Sequence, residues 1–209
     1  NEALPSKNKL SLNALMATGA LHQALIEQRK RTKVNIIVST GSARDTHQIA
    51  CLIAFGATSV YPWLAYQTIL DLSHKKELKG DPFENCAKYR KGINKGLLKI
   101  ISKLGISLIS SYRGSQLFEI VGLSNEVVEK CFTNTDSRIG GKNFRNLENE
   151  NRNIALFAKS NISDVSVGGL LKFIHGGEYH SYNPDVVKTL QEAVRSGDED
   201  EYRKYSNLV

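Results

Sequence analysis

The sequence predicts an α/β fold with a parallel sheet, and three observations carry that expectation. Short, β-branched, uncharged runs at VNIIVST (34–40), ATSVY (57–61) and SLISSY (107–112) read as strands. Helical patterns alternate with them and are long enough to act as the crossovers that parallel strands require. Glycine and proline fall at the joints, with Gly56 and Gly122 closing helical runs and Pro62 opening one.

Taken in order, residues 10–31 hold good helix formers with an apolar face through Leu12, Leu15, Met16, Leu21 and Leu25, and Ser11 is the expected cap. The strand at 34–40 follows, then a helix over 43–55 closed by Gly56, the second strand at 57–61, and a helix from Pro62 to about residue 73. Residues 74–86 are polar and carry Gly80 and Pro82, so they read as a surface excursion. Over 87–104 the pattern is sharply helical. Ile93, Leu97, Ile100, Ile101 and Leu104 share one face, and Lys91, Lys95, Lys99 and Lys103 form a stripe spaced by four. A third strand is expected at 107–112, a helix at 114–121, and a short helix capped by Ser124.

Three strands are too few for a closed eight-stranded barrel. The sheet is therefore either small and open or part of a barrel completed by other sequence. Beyond Thr133 the chain turns polar and glycine-bearing, with a helical piece near residues 154–159. Residues 162–182 have irregular patterning and two Gly-Gly pairs and read as linker, and a helix follows over 184–196. The expected division is a βα portion over 1–161 and a helical, irregular portion over 162–209. The chain opens on Asn1, holds Met16 as its one methionine and ends on YRKYSNLV without a helix stop. Both ends look cut, which predicts a piece of a longer polypeptide.

The totals bound the function. A hydrophobic fraction of 41% and a charged fraction of 23% are those of an ordinary globular domain. No apolar run approaches the roughly 20 residues of a membrane span, and no leader pattern is present, so the expectation is a cytoplasmic chain without a membrane partner. Cys51, Cys86 and Cys131 are far apart and form no C-x-x-C pair, which argues against a disulfide framework or a zinc ribbon. A net charge of +7 raises nucleic acid as a partner, but the basic residues are dispersed, so a solvated basic surface is the simpler reading. The same applies to the lysine stripe, with an interdomain contact as the sharper alternative.

In parallel α/β folds, residues just past the carboxyl ends of strands line the functional face. Here these are TGSARD (40–45), YPW (61–63) and SYRG (111–114), which single out Thr40, Arg44, Tyr61, Tyr112 and Arg113. Arg44 and Arg113 are expected near helix N-termini, which favour anions. The simpler reading has them pairing with Asp45 or Glu119 and pinning loops, since no G-x-G-x-x-G or Walker pattern accompanies them. His22 and His47 lie in helical runs with no second ligand expected four residues on, and no G-x-S-x-G elbow is present. HGGEYHSYNPD (175–185) is dense in polar residues, but Asn183, Pro184 and Asp185 have the character of a helix start. His175, Glu178 and His180 remain, and on a loop they suit loop or interdomain contacts better than metal.

The chain resembles the large subunit of glutamate synthase nearly end to end. The resemblance is carried by ALMATGALHQALI, VSTGSARDTHQIACLIAFGATSVYPWLAYQTI, YRKGINKGLLKIISKLGISLISSYRGSQLFEIVGL, SRIGG and GGLLKFIHGGEYHSYNPDVVKTLQEAVRSGD. The last block is most similar to the bacterial NADPH-dependent form. The resemblance implies a partial, rudimentary TIM-barrel-like central domain over 1–161, with 162–209 leading into an FMN-binding domain. It implies that the whole enzyme hydrolyses glutamine, passes ammonia through a tunnel to 2-oxoglutarate, and reduces the imine with electrons from FMN. FMN and an iron–sulfur cluster would belong to other parts of the large subunit, and FAD and NADPH to a small-subunit partner. No catalytic, flavin, cluster or metal residue of the family maps onto this chain. The implied role is scaffold between the glutaminase and FMN domains and wall of the ammonia tunnel. A free-standing basic module binding anions or nucleic acid is the rival.

Overall fold

The structure is a computed structural model that describes residues 10–159 and 168–209. It divides into two compact units, residues 1–159 and 160–209. The expected boundary between 161 and 162 lies outside the described residues.

In the first unit, α1 (Ala14–Glu27) starts where the Asn13 side chain accepts hydrogen bonds from Leu15 and Met16 N–H, so Asn13 and not Ser11 is the cap. Strand β1 (Ile37–Thr40) pairs in parallel with β2 (Ser59–Pro62), Ile37 opposite Ser59 and Thr40 opposite Pro62. Helix α2 (Thr46–Ala54) makes the crossover. Its start is fixed by a capping box, with Asp45 Oδ1 accepting from Gln48 N–H at 2.8 Å and Gln48 Oε1 accepting from Asp45 N–H at 3.3 Å. That box places the start three residues after the expected Ala43. Gly56 holds a φ of 121°, so the chain can turn sharply out of α2 into β2.

Helix α3 (Trp63–His74) runs directly out of β2, and Pro62 caps it from outside its first turn. Helix α4 (Pro82–Lys103) begins five residues before the expected 87, because Asp81 accepts from Glu84 N–H at 2.9 Å and Pro82 fits the first turn. Leu97 and Ile101 are buried, and Ile93 and Ile100 pack on them, whereas Leu104 is exposed. The stripe of Lys91, Lys95, Lys99 and Lys103 faces solvent.

Beyond α4 the outcome departs from expectation. Residues 107–112 form no strand but one helical turn, α5 (Ile109–Tyr112). A buried parallel strand needs cover on both faces, and Leu108 and Ile109 are 63% and 50% exposed. The expected helix at 114–121 is instead a loop leading into β3 (Glu119–Leu123). Helix α6 (Asn125–Cys131) follows, with Ser124 at the cap position but making no side-chain capping bond.

Strand β4 (Asp136–Lys142) pairs in parallel with β3, so α6 is the crossover of a second strand–helix–strand unit. The register shifts along this pair, and Gly141 lies so close to Gly122 that a Cβ on it would sit 2.4 Å from the Gly122 oxygen. Helix α7 (Phe144–Lys159) is far longer than the expected piece at 154–159. It starts on a reciprocal pair in which Asn143 and Asn146 each accept the other's backbone N–H.

Among the described residues the parallel strands thus form two separate pairs instead of three strands in one sheet. One core gathers Ile36, Val38, Ile49, Leu52, Leu97 and Ile101. The other gathers Val127, Val128, Cys131 and Phe132, and Leu15 of α1 packs on both. The second unit holds turns over 168–182, then α8 (Pro184–Ser196) and α9 (Glu199–Ser206). Asn183 caps α8 as its sequence predicts, accepting from Asp185 and Val186 N–H. The sequence reading placed no separate helix after 196, but Gly197 turns the chain at φ 68° and Asp198 caps α9.

Candidate functional site

The carboxyl ends of β1 and β2 bring together three of the five strand-end candidates. Thr40 is buried, and its hydroxyl shares a hydrogen bond with Ser42 Oγ at 2.8 Å and accepts from Ser42 N–H, which shapes the turn into α2. Arg44, just before α2, is exposed. Its N–H donates to Gln48 Oε1 at 2.8 Å, and its carbonyl accepts from Tyr89 Oη at 2.9 Å. Tyr61 at the end of β2 is exposed and stacks on Tyr66 with ring centres 5.9 Å apart, and Tyr66 meets Tyr89 edge-on at 5.5 Å. An aromatic row therefore ties α3 and α4 to the loop that carries Arg44. Burial, then Tyr66 and Asp45, push the Tyr89 phenol up, so it stays a neutral donor.

Tyr112 and Arg113 do not join this face. Tyr112 is fully buried against the first core, and its hydroxyl has no hydrogen-bond partner among the described residues. Burial, then Cys51, push that phenol up. Arg113 follows α5 instead of preceding a helix, so the expected anion-favouring N-terminus is absent there. The next residue is tied to the far end of α2, with Gly114 N–H donating to Ala54 O at 2.7 Å. The expected pairing partners are also taken elsewhere. Asp45 caps α2, and Glu119 faces Arg138 at 3.7 Å.

Arg113 instead shares a neighbourhood with His22 and Arg31. Arg31 Nε donates to His22 Nδ1 at 2.8 Å, while its terminal nitrogens donate to Val34 O and Gly56 O at 2.8 and 2.9 Å. That bond makes Nδ1 the acceptor and leaves the proton of the neutral ring on Nε2. Burial, then Arg31 and Arg113, hold the His22 imidazole below its ordinary range, so it is neutral at pH 7. This grouping was missed from sequence because its members come from α1, the turn after it and the segment before β3.

His47 does have a potential partner four residues on, contrary to expectation, since Cys51 Sγ lies 3.6 Å from His47 Nε2. Burial, then Asp45, push the Cys51 thiol up to about 11, so it is a protonated core thiol and a poor ligand. No group of three or more His, Cys, Asp or Glu able to hold a metal occurs among the described residues.

In the second unit, His180 Nε2 lies 2.6 Å from Gly169 O, and Glu178 N–H donates to Gly168 O at 2.6 Å. Asn183 Nδ2 donates to His180 O at 2.7 Å, so the capping residue also holds the loop. The side chains of His175 and Glu178 are exposed. The three do not form a ligand set. His180 fastens the turn, and the other two face outward.

The family profile described as Glutamate synthase central domain matches residues 2–124. The chain is 40% identical to a ferredoxin-dependent glutamate synthase of Cyanidium caldarium, covering 98% of this chain and 14% of that protein. It is 38% identical to the glutamate synthase [NADPH] large chain of Bacillus subtilis, covering 93% of this chain and 13% of that protein. With the glutamate synthase [NADH] of Schizosaccharomyces pombe it shares 33% identity over 96% of this chain and 10% of that protein. The chain thus spans about a seventh or less of the length of these relatives. Relatives named for three different electron donors match it over nearly the same span.

Proposed function

The chain belongs to the glutamate synthase family, and from that premise we propose that it is a scaffold segment of the glutamate synthase large subunit. In this reading it lies between the glutaminase and FMN domains, holds them in register and lines part of the ammonia tunnel, while the chemistry is done elsewhere. The full enzyme would convert glutamine and 2-oxoglutarate to two glutamates in the cytoplasm. It would use FMN and an iron–sulfur cluster in the large subunit, with FAD and NADPH on a small-subunit partner. The match to ferredoxin-, NADPH- and NADH-named relatives alike fits a segment that does not choose the donor. No helix among the described residues is long and apolar enough to cross a membrane.

The observation that carries the reading, beside the family match, is the exposure of large aliphatic side chains on both strand pairs. Ile37 on β1, Val121 on β3 and Ile139 on β4 are 73%, 67% and 60% exposed. Parallel sheets are ordinarily covered on both faces, because exposing such residues forfeits about 1.5–3 kcal/mol of burial each. Exposure of this kind suits a segment packed inside a larger assembly. The exposed Arg44 and Tyr61 are the proposed contacts at the strand ends, with Thr40 shaping that turn from within, while Tyr112 lies apart in the first core. His175 and Glu178 are the proposed contacts of the second unit, and His180 keeps their loop in shape.

Reading the full encoding frame and weighing the native polypeptide tests this assignment. The proposal expects an upstream amidotransferase domain that starts on cysteine and a downstream cysteine cluster in one polypeptide. A native protein lacking both would overturn it.

A further inference from the structure

Helix α4 carries six basic residues and one carboxylate, Glu84, in its 22 residues. Lys88, Lys91, Lys95, Lys99 and Lys103 are all exposed, and at helical spacing they fall on one face about 120° wide. The opposite face is fixed, because Ile93, Leu97, Ile100 and Ile101 pack into the first core. The lysines are therefore held outward as a row about 22 Å long, with steps of about 6 Å between residues four apart. None of the five makes an ion pair among the described residues.

Other exposed helices of the chain are built the opposite way. Asp71–Lys75 at the end of α3, Glu148–Arg152 on α7, Lys188–Glu192 on α8 and Glu199–Arg203 on α9 pair opposite charges four residues apart. That arrangement steadies a solvated helix. On α4 the same spacing joins like charges at 91 and 95, 95 and 99, and 99 and 103, which disfavours the helix. Gly92 disfavours it further, as a glycine inside a helix with nothing within 4 Å of its Cβ position. It is the surface neighbour of Lys88 and Lys95, so it leaves an opening in the row where another chain can come close. Neither feature is compensated among the described residues.

We propose that this face docks a separate acidic protein reversibly, its carboxylates about 6 Å apart, as on a helix with Asp or Glu at every fourth position. Charge complementarity carries the choice. A permanent domain interface is built round an apolar core, whereas this row holds lysines, Gly92 and Ser102, with Leu98 exposed at its margin. Lysine is strongly hydrated on a flexible stem, so it steers association and sets its salt dependence without full desolvation. Nucleic acid fits less well. The row lacks arginine, whose fork grips phosphates in pairs, and lacks an aromatic ring for base stacking. The inference stands apart from the scaffold reading, since it uses only α4.

Fluorescence anisotropy on the intact protein that carries this chain tests it. The probe is a dye-labelled, alanine-rich helical peptide with glutamate at every fourth position. Its controls are a peptide of the same composition with the glutamates scattered round the helix, and a short DNA duplex. The proposal expects saturable binding of the striped peptide at low salt, several-fold tighter than the scattered one and fading as salt rises.

Charge reversal in the double variant Lys95→Glu, Lys99→Glu should weaken that binding about tenfold or more, while Lys95→Arg with Lys99→Arg keeps it within about twofold. Both positions are exposed, so the variants leave the first core intact. Four results would overturn the proposal. The first is no saturable binding of the striped peptide. The second is equal affinity for the scattered peptide, and the third is tighter binding of DNA. The fourth is binding unmoved by charge reversal.

Discussion

Replacing Gly19 with alanine puts the packing of α1 to a quantitative test. Gly19 is buried where α1 crosses the end of α6, and a Cβ built on it would lie 1.9 Å from the Cys131 carbonyl oxygen and 3.1 Å from its carbon. That is roughly 1 Å closer than real side chains approach, and the obstacle is backbone, so α1 or α6 must move instead of a side chain turning aside. Overpacking of this kind costs about 1–3 kcal/mol, at the upper end when backbone must shift. Alanine returns about 1 kcal/mol of helix preference, so the expected net loss is ~1–2 kcal/mol. Gly92 supplies the control, because it lies on the exposed side of α4 with nothing within 4 Å of its Cβ position. There alanine should gain about 0.5–1 kcal/mol. Urea unfolding followed by circular dichroism reads both midpoints. Gly19→Ala as stable as Gly92→Ala would refute the close crossing.

Asn183→Ala should cost about 1 kcal/mol and speed hydrogen exchange at Asp185 and Val186, since it removes the cap of α8 and the tie to His180 O. His22→Gln should flatten the acid side of the stability profile. The folded imidazole titrates below its ordinary 6.5, so the unfolded chain binds more protons as pH falls through that value, and wild-type stability drops from there downward. Denaturant midpoints between pH 7.5 and 5 measure it, and an unchanged slope in the variant would contradict the sign. Iodoacetamide at neutral pH should label the partly exposed Cys86 first, while buried Cys51 and Cys131 react only on unfolding, as peptide mass mapping will show.

The legibility of the chain varied with what each segment could say locally. The β1–α2–β2 unit was readable because Gly56 and Pro62 announce its joints, whereas the Asp45–Gln48 box that sets the start of α2 went unread. Helix α8 was readable for the same reason, through Asn183, Pro184 and Asp185. SLISSY carries strand-forming residues but has no covering partner, so tertiary context made it a turn of helix. Ile120 and Val121 did signal a strand, and the glycines around them drew the reading to a helix end instead. Strand β4 escaped because it is exposed along nearly its whole length and shows no alternation, and α7 because its cap pairs two asparagines and its first turns are polar.

Thr40, Arg44 and Tyr61 lie at the carboxyl ends of β1 and β2, where the strand-end logic put them. It failed for Arg113, because the strand it rested on does not form. The partners of Arg113 lie about 80–90 residues earlier in the chain, and no local pattern marks such a meeting.

The central claim, that this segment couples two reactions it does not catalyse, is tested most directly in the full-length enzyme carrying Arg44→Ala and Tyr61→Ala. Three quantities are measured: glutamine hydrolysed, glutamate formed, and glutamate formed from added ammonia. The account predicts that glutaminase activity and ammonia-dependent synthesis persist while more glutamine is hydrolysed per glutamate made. Unchanged coupling, or loss of either half-reaction by itself, would contradict it.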